Sequence, residues 1–344
     1  MSRSMPPRLL SAPATLKVVS SSILTWGESA RVVLDGLPEG DAVELASRWG
    51  AAVVTGGAST RSDCCRLVVS GANIDSVEQR TRSSPPRVRT RFHAGSVEVG
   101  VGPHRVVLDS VSGPDCIVIS PARRLDDAER ELLVGAALGH LLARQGMAVL
   151  HACAFECLGD RVLGLGESFG GKTTISMAAV RTGGATVSDD LILAGLDPNG
   201  RVELRPLRTY WFLRGNTKQI IPKRLNRRMW KTDEGGKPSW VLRCAEGQTG
   251  NIDLLTPNVL WLLSIDRRLR ESRVVEVPQA MSFAAMIRAS SPLFLSRHFP
   301  MERDELMPVF RTMSEGCRTF RVRLGRRLLD DPEGEMTRLV EASR

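Results

Sequence analysis

The feature that most constrains this chain is a glycine-rich segment placed between an apolar stretch and a helix-forming one. Residues 163–176 read LGLGESFGGKTTIS, and the part from Gly166 to Thr173 matches the pattern G-x-x-x-x-G-K-[ST] in full. A chain of this size matches such a pattern by chance on the order of once in a hundred proteins. The segment therefore favours a strand, a loop and a helix whose backbone N–H groups converge on a phosphate.

The chemistry of phosphate binding explains each residue type in this pattern. Glycines at 166, 170 and 171 let backbone N–H groups approach phosphate oxygens without obstruction by a Cβ. Lys172 then reaches the β- and γ-phosphates of a nucleotide, and the Thr173 hydroxyl binds Mg²⁺. The predicted nucleotide-binding residues are Gly166, Glu167, Ser168, Phe169, Gly170, Gly171, Lys172, Thr173 and Thr174.

The segments on either side supply the order of elements that a phosphate loop requires. The predicted elements are, in chain order, a helix (124–146), a strand (147–157), a turn (159–160), a strand (161–165), the glycine loop, a helix (172–182), a turn (183–184) and a strand (185–188). Those predicted farther along are two strands (259–266 and 318–324) and two helices (280–289 and 302–315). This alternation of apolar periods predicts a mixed α/β fold.

Before residue 122 the sequence is rich in short strand-like segments that end in Gly, Pro, Asp or Asn. The predicted strands lie within 16–26, 30–37, 65–71, 96–102, 104–111 and 115–121, and the polar segment 72–92 is predicted to be a loop or an exposed linker. We therefore divide the chain into three parts. They are a disordered tail (1–15), a smaller N-terminal module that is α+β or mainly β (16–122), and a catalytic domain around the phosphate loop (123–344).

The composition is that of a folded protein in a reducing compartment. Of 344 residues, 42% are hydrophobic and 25% are charged, and no run approaches the roughly 18 consecutive apolar residues of a membrane span. The cysteines are odd in number and form no C-x-x-C pair, which argues against a disulfide framework and a zinc site. We predict a cytoplasmic protein with no membrane span, in which Cys153 and Cys157 are buried thiols.

The formal net charge of +9 is concentrated in basic runs at 223–231, 267–273 and 321–327. Such runs attract anionic partners, among them acidic peptides, nucleotide phosphates and nucleic acids. Aromatic residues make up only 5% of the chain, so few side chains are available to stack on nucleic-acid bases. The composition therefore argues against nucleic acid as the partner. A solvated basic surface is the alternative for each run.

Two adjacent carboxylates follow the strand predicted over 185–188. Asp189 and Asp190 come 17 and 18 residues after Lys172, close enough for that strand to return beside the glycine loop. A phosphoryl-transfer site needs one carboxylate to hold Mg²⁺ and one to accept the proton of an attacking hydroxyl. His151 is predicted to lie near them, because its strand forms a hairpin with the strand that leads into the loop.

Three separate segments together resemble the HPr kinase/phosphorylase family and its HPr-kinase-like relatives. That family has a His-Gly or His-Ala pair opening a strand, a loop of the form G-[DE]-S-x-x-G-K-[ST], and an Arg-Gly turn followed by a strand that ends in Asp-Asp. This chain has His151-Ala152, GESFGGKT and RTGGATVSDD, with 21 residues from His151 to Lys172 and 17 from Lys172 to Asp189. The resemblance covers about residues 147–195.

The resemblance implies a P-loop kinase core of the HPr kinase and phosphoenolpyruvate carboxykinase type, which uses ATP and Mg²⁺. It implies that Asp189 is the base that deprotonates a Ser or Thr hydroxyl, that Asp190 binds magnesium or supports it, and that His151 orients the aspartates. The reverse assignment of the two aspartates stays open. The predicted catalytic residues are thus Asp189, His151 and Lys172, and the predicted metal ligands are Thr173 and Asp190.

The partners implied by the resemblance are proteins or peptides. The phosphoryl acceptor is expected to be a small protein or peptide, such as a ribosomally made lasso peptide, because some HPr-kinase-like proteins phosphorylate a serine of such peptides. Relatives that assemble as rings or dimers imply a homo-oligomer.

The chain departs from the family pattern after the Asp-Asp strand. True HPr kinases have a glutamate shortly before an Arg-Gly pair, whereas Arg214-Gly215 lacks one here and the closest upstream acid, Glu203, is at the wrong spacing. The candidate cations for the transferring phosphate are Arg208, Arg214 and Lys218, with surface charge as the alternative. A second class of function therefore stays open, a nucleotide-binding sensor that has kept the loop and lost phosphotransfer.

Overall fold

A computed structural model places most of the residues that carry these predictions. The described residues are 21–26, 30–35, 52–55, 65–69, 88–93, 96–101, 104–109, 116–120, 127–207, 210–213, 219–221, 229–234, 237–243, 252, 254–290 and 300–344. The predicted tail (1–15) and the candidate cations Arg208, Arg214 and Lys218 lie outside them.

The first sheet has eight strands from the part of the chain before residue 121. They are β1 (Ser21–Trp26), β2 (Ala30–Asp35), β3 (Ala52–Thr55), β4 (Cys65–Val69), β5 (Val88–His93), β6 (Ser96–Val101), β7 (His104–Asp109) and β8 (Cys116–Ser120). Their order across the sheet is β3-β1-β2-β4-β8-β7-β6-β5. The pairs β2/β4 and β4/β8 are parallel, and the remaining pairs are antiparallel.

The later strands form two further sheets. They are β9 (Ala148–Cys157), β10 (Asp160–Leu165), β11 (Ala185–Ser188), β12 (Leu191–Leu196), β13 (Val202–Pro206), β14 (Tyr210–Leu213), β15 (Met229–Glu234), β16 (Lys237–Arg243), β17 (Val259–Ile265), β18 (Arg273–Glu276) and β19 (Arg318–Leu324). The second sheet has the order β13-β12-β9-β10-β17-β19-β18, with β11 also paired to β9, and the third has the order β14-β16-β15. Within the second sheet β10, β17 and β19 are parallel, so their carboxyl ends share one edge.

Helices cover both faces of the second sheet. They are α1 (Asp127–Ala143), α2 (Lys172–Arg181), α3 (Gln279–Ala289), α4 (Pro300–Gly316), α5 (Arg327–Asp330) and α6 (Pro332–Glu341). One core contains α1, α3 and α4 together with buried residues of β6 and β7, and another contains α2 and α6. In the described part of the chain, no helix combines the length and the apolar character needed to cross a membrane.

The central strand β9 is buried on both faces from Ala152 to Phe155, which explains the apolar sequence ACAF there. Ala152 and Ala154 lie in the core with α1, whereas Cys153 and Phe155 lie in the core with α2. The alternation follows the two-residue period of a strand. Phe155 packs edge to face on Trp261 of β17, with ring centroids 5.7 Å apart.

Helix α2 ends in a glycine motif that fixes it to the sheet. Gly183 adopts a φ of +95°, and the N–H groups of Gly183 and Gly184 donate to Val180 O at 3.2 Å and Ala179 O at 2.9 Å. This is the paired hydrogen bonding of a Schellman motif. A Cβ on Gly184 would overlap the Glu156 carbonyl oxygen of β9, so the helix end lies directly against that strand.

The predicted elements around the glycine loop are confirmed with shifts of a few residues at their ends, as are the strands and helices predicted after residue 258. The fold is mixed α/β, as predicted. The prediction of a loop over 72–92 is wrong for residues 88–92, because the alternation in VRTRFH forms β5 and pairs with β6. The division into an N-terminal module and a catalytic domain stays a prediction.

Glu335 of α6 is a carboxylate with no exposed surface. Arg338 donates to its two oxygens at 2.7 and 3.1 Å, and the Ser272 N–H donates to it as well. Burial acts to raise the pKa of Glu335, but these hydrogen bonds and the charge of Arg338 hold the pKa below its ordinary value. The carboxylate therefore links α6 to the segment between β17 and β18.

We expect Glu335→Gln to lower the free energy of unfolding by about 1 to 3 kcal/mol, since a charge-assisted network is lost inside the protein. The contribution of this carboxylate is present above the pKa of an unfolded Glu, about 4.3, and is lost as pH falls through the lower folded pKa. Urea denaturation at pH 7 and pH 3 measures both effects. The control is Glu333→Gln on the same helix, which removes an exposed pair with Arg181 and should cost under about 0.5 kcal/mol. An equal loss of unfolding free energy in the two variants would contradict a stabilising role for the buried Glu335 carboxylate.

Candidate functional site

The glycine loop connects the carboxyl end of β10 to the amino end of α2 and lies against β17 and β19. Gly171 has a φ of +98°, and a Cβ on it would overlap the Leu324 side chain and lie 3.3 Å from Ile265 Cγ1. A Cβ on Gly166 would lie 3.0 Å from the Leu263 carbonyl oxygen. The loop therefore approaches both neighbouring strands at a distance that only glycine permits.

Lys172 is the first residue of α2, and its ammonium is held by the loop itself. The residue is only 6% exposed, and Nζ donates to Gly166 O at 2.9 Å and to Glu167 O at 3.0 Å. Burial lowers the pKa of Lys172, and the charges of Asp190 and Asp189 are among those that oppose this change. The loop thus curls around a cation that lies within electrostatic range of both aspartates.

The amino end of α2 carries the features of an anion site. The residue before the helix, Gly171, has no side chain to cap it, and no acidic residue occupies the first turn. The backbone bond from Ile175 N to Gly171 O at 2.9 Å opens the helical pattern, so the backbone N–H groups of the first turn of α2 lie at the loop. These groups and the positive end of the helix dipole point toward the loop.

The tip of the loop faces solvent. Glu167, Ser168 and Phe169 are exposed, and the Phe169 residue is 77% exposed. Phe169 also has a φ of +65°, in the left-handed region that a bulky residue seldom adopts. The tip is thus the accessible wall of the loop, opposite the buried Lys172.

The structure brings His151 against one of the two predicted carboxylates. His151 Nε2 lies 2.8 Å from Asp190 Oδ1, and the two side chains are 37% and 28% exposed. Their backbones are linked too, since Ala152 N donates to Asp190 O at 3.0 Å. The contact arises because β9 pairs with both β11 and β12, and the turn between those strands carries the two aspartates.

Asp189 has a different environment from Asp190. It is 1% exposed, and its charge acts on Lys172 and on the buried Cys153. Burial raises the pKa of Cys153 to about 12, so the thiol stays protonated and unreactive. Its Sγ donates to Gly164 O at 3.6 Å. The sequence predicted Cys153 as a buried thiol but gave no sign that it lies beside the lysine and the aspartate.

In the described part of the chain, no group of three or more His, Cys, Asp and Glu side chains converges as a metal site. The predicted metal ligands, Thr173 and Asp190, form no such group and stay a prediction. The acid nearest to the family position, Glu203 of β13, is paired with Arg205 at 2.7 Å. Sequence reasoning also missed that the segments after β17 and β19 lie beside the loop. Strands 259–266 and 318–324 were predicted, but their parallel pairing with β10 and with each other cannot be read from local patterns.

Comparisons with known proteins do not show the family of this chain. The sequence matches no protein-family model, and no curated protein matches it. Among solved structures, the chain is similar to the HPr(Ser) kinase/phosphatase from Coxiella burnetii, with a TM-score of 0.29 and 11% sequence identity over 55% of this chain and 94% of that one. A likeness this distant leaves the activity and partners of this chain to be argued from its own residues.

We expect Gly171→Ala to destabilise the protein more than Gly183→Ala does. Both residues have a positive φ, but a Cβ on Gly183 meets nothing within 4 Å, whereas one on Gly171 overlaps Leu324. Gly183→Ala should cost about 1 kcal/mol from backbone strain, and Gly171→Ala about 1 to 3 kcal/mol more from overpacking. Chemical denaturation measures the difference in unfolding free energy between the two variants. An equal loss in both would show that Gly171 is not closely packed against β19.

Proposed function

We propose that this protein is an ATP- and Mg²⁺-dependent phosphotransferase that phosphorylates a Ser or Thr hydroxyl of a small protein or peptide. The observation that carries the proposal is the buried Lys172 ammonium inside a glycine loop, within electrostatic range of Asp189 and of the Asp190–His151 pair. A cation, a helix start and two carboxylates in one place are the parts that phosphoryl transfer requires.

The loop fits the phosphates of a nucleotide. The carbonyl oxygens of Gly166 and Glu167 now satisfy Lys172, and both belong to a loop whose tip is exposed. A polyphosphate that binds at the start of α2 would replace those carbonyls as the partner of the ammonium. The helix N–H groups and the absence of an acidic residue in the first turn favour the same anion.

The oxygen ligands available at this site also fit Mg²⁺ as enzymes that use nucleotides commonly bind it. Magnesium keeps several water ligands and takes only one or two protein oxygens besides the phosphates. Thr173 follows Lys172 in the first turn of α2, and Asp189 or Asp190 supplies the carboxylate. Bound MgATP would supply the γ-phosphoryl group together with a cation that neutralises charge.

The proton of the acceptor hydroxyl needs a base that the acceptor can reach. Asp190 is part-exposed and bonded to His151, whereas Asp189 is buried near Lys172. This contrast favours the reverse of the first assignment. Asp190 accepts the proton, His151 orients its carboxylate, and Asp189, whose charge acts on Lys172, would hold Mg²⁺.

The second candidate function is a nucleotide sensor without phosphotransfer. The observation that favours it is the ion pair between Glu203 and Arg205. Glu203 is the acid closest to the position of the family glutamate, and this pair engages its carboxylate. A sensor would bind ATP through the same loop and would not need Asp190 for its activity.

We expect Lys172→Ala to weaken MgATP binding by about 10- to 100-fold, because bonds between an ammonium and phosphate oxygens are lost. Isothermal titration calorimetry with MgATP measures this, and circular dichroism checks the fold. The matched control is Arg181→Ala, which removes an exposed cation at the other end of α2 and should leave the affinity unchanged. Unaltered affinity in a folded Lys172→Ala protein would rule out the phosphate loop.

Asp190→Asn and Asp189→Asn separate the two candidate functions. For the phosphotransferase, Asp190→Asn should lower transfer at least about 100-fold with little change in MgATP affinity. Asp189→Asn should instead raise the Mg²⁺ concentration needed for half-maximal transfer. The readout is label from [γ-³²P]ATP in acid-stable phosphoserine and phosphothreonine on an array of Ser and Thr peptides. MgATP binding by the wild-type protein with no transfer to any peptide would favour the sensor.

A further inference from the structure

The carboxyl ends of β10, β17 and β19 share one edge of the second sheet, and each strand is followed there by a loop. The glycine loop follows β10, the segment 266–273 follows β17, and the segment 325–327 follows β19. Ile265 and Leu324, the last residues of β17 and β19, are also the residues that crowd Gly171. The two later segments therefore begin one residue beyond their contact with the glycine loop.

Backbone hydrogen bonds fix these two segments to each other. Arg326 N donates to Leu269 O at 3.1 Å, and Arg327 N donates to Arg270 O at 2.8 Å. Gly325 N donates to Ser272 Oγ at 3.0 Å. The segments thus form one preorganised surface next to the glycine loop, which reduces the entropy that a partner must remove on binding.

The charges of this surface are unbalanced. Its acidic residues are already engaged, since Asp266 pairs with Arg323, Glu271 with Arg327, and Glu335 with Arg338. Five arginines of the two segments are exposed and make no ion pair in the described part of the chain. Arg273 belongs to β18, and the other four are Arg267, Arg268, Arg270 and Arg326. We call these four the basic edge. Two exposed acids of the neighbouring described segments make no ion pair there, Asp330 at the end of α5 and Glu167 at the tip of the glycine loop.

We propose that the basic edge binds an acidic peptide segment and so presents a hydroxyl of that peptide to the loop. The four exposed guanidinium groups are spread over two segments, so they match a row of carboxylates better than they match one phosphate group. Lys172 and the start of α2 already provide a site for phosphate. Arginine binds carboxylates through a planar fork of donors. The segments, DRRLRESR and GRR, contain no aromatic residue on which a nucleic-acid base could stack.

The inference deepens the proposed function and rests on it, because the basic edge matters to transfer only if the glycine loop holds the phosphoryl donor. Binding of the peptide, however, needs no nucleotide. The two proposals can therefore fail separately.

The test is fluorescence anisotropy of a labelled peptide with one Ser among Glu residues, and of its Gln counterpart, without nucleotide and at 50 and 300 mM NaCl. We expect the Glu peptide to bind more tightly than the Gln peptide and to lose affinity as salt rises. Arg268→Glu/Arg326→Glu should weaken binding at least about tenfold. Arg268→Gln/Arg326→Gln, which introduces no repulsion, should weaken it less.

The matched control is Arg161→Glu. Arg161 is exposed, makes no side-chain ion pair in the described part of the chain, and lies at the opposite end of β10. This control is compared with the single variant Arg268→Glu, which makes the same change of charge. An equal loss of affinity in these two single variants would show that only net charge matters and would overturn the proposal, as would equal binding of the Glu and Gln peptides. Tighter binding of single-stranded DNA through the same arginines would overturn it in favour of nucleic acid. A parallel loss of MgATP affinity in Arg268→Glu/Arg326→Glu would assign the basic edge to the nucleotide instead.

Discussion

A buried ammonium determines the shape of the glycine loop. Lys172 lies in a region from which water is largely excluded, and a charge there is tolerated only with oxygen partners close by. The carbonyls of Gly166 and Glu167 supply them, because the loop turns back on itself through the hydrogen bond from Gly170 N to Glu167 O at 2.9 Å. The conformation of the loop, the start of α2 and the position of the aspartates are therefore linked through one side chain.

The parallel arrangement of β10, β17 and β19 explains why the segments around the candidate site meet. Loops at the carboxyl ends of neighbouring parallel strands lie next to one another, and open α/β sheets bind ligands at that edge. Here the edge combines a loop suited to phosphates with a preorganised basic surface. On the other side of β10, the antiparallel β9 carries His151 to the same end of the sheet, beside Asp190. Donor and acceptor sites can thus occupy adjacent parts of one edge.

Local patterns predicted the elements around the loop because they carry their own signals: glycines at the turns, and an apolar period that differs between strands and helices. The approach of His151 to the carboxylates also followed from the sequence, since a short turn forces β9 and β10 into a hairpin. The difference between Asp189 and Asp190 did not follow. It depends on how the turn after β11 sits on β9, and β11 pairs with β9 through a register shift between Thr186 and Ser188 that has no local signature.

The same limit applies to the basic edge. The runs at 267–273 and 321–327 were visible as charge, but only the long-range pairing of β17 with β19 joins them into one surface. Which arginines are engaged by acids, such as Arg323 by Asp266, depends on side-chain contacts across 57 residues of sequence. Charge counting along the chain cannot separate the paired from the unpaired members of these runs.

The two glycines that bound α2 have a mechanical consequence. At one end Gly184 packs against the Glu156 carbonyl, and at the other Gly171 packs against Leu324, so both ends of the helix lie in close contact with the second sheet. The exposed part of the glycine loop is its tip of three residues, Glu167 to Phe169. A side chain added at either end of the helix would therefore have to displace the sheet, whereas one changed at the tip would not.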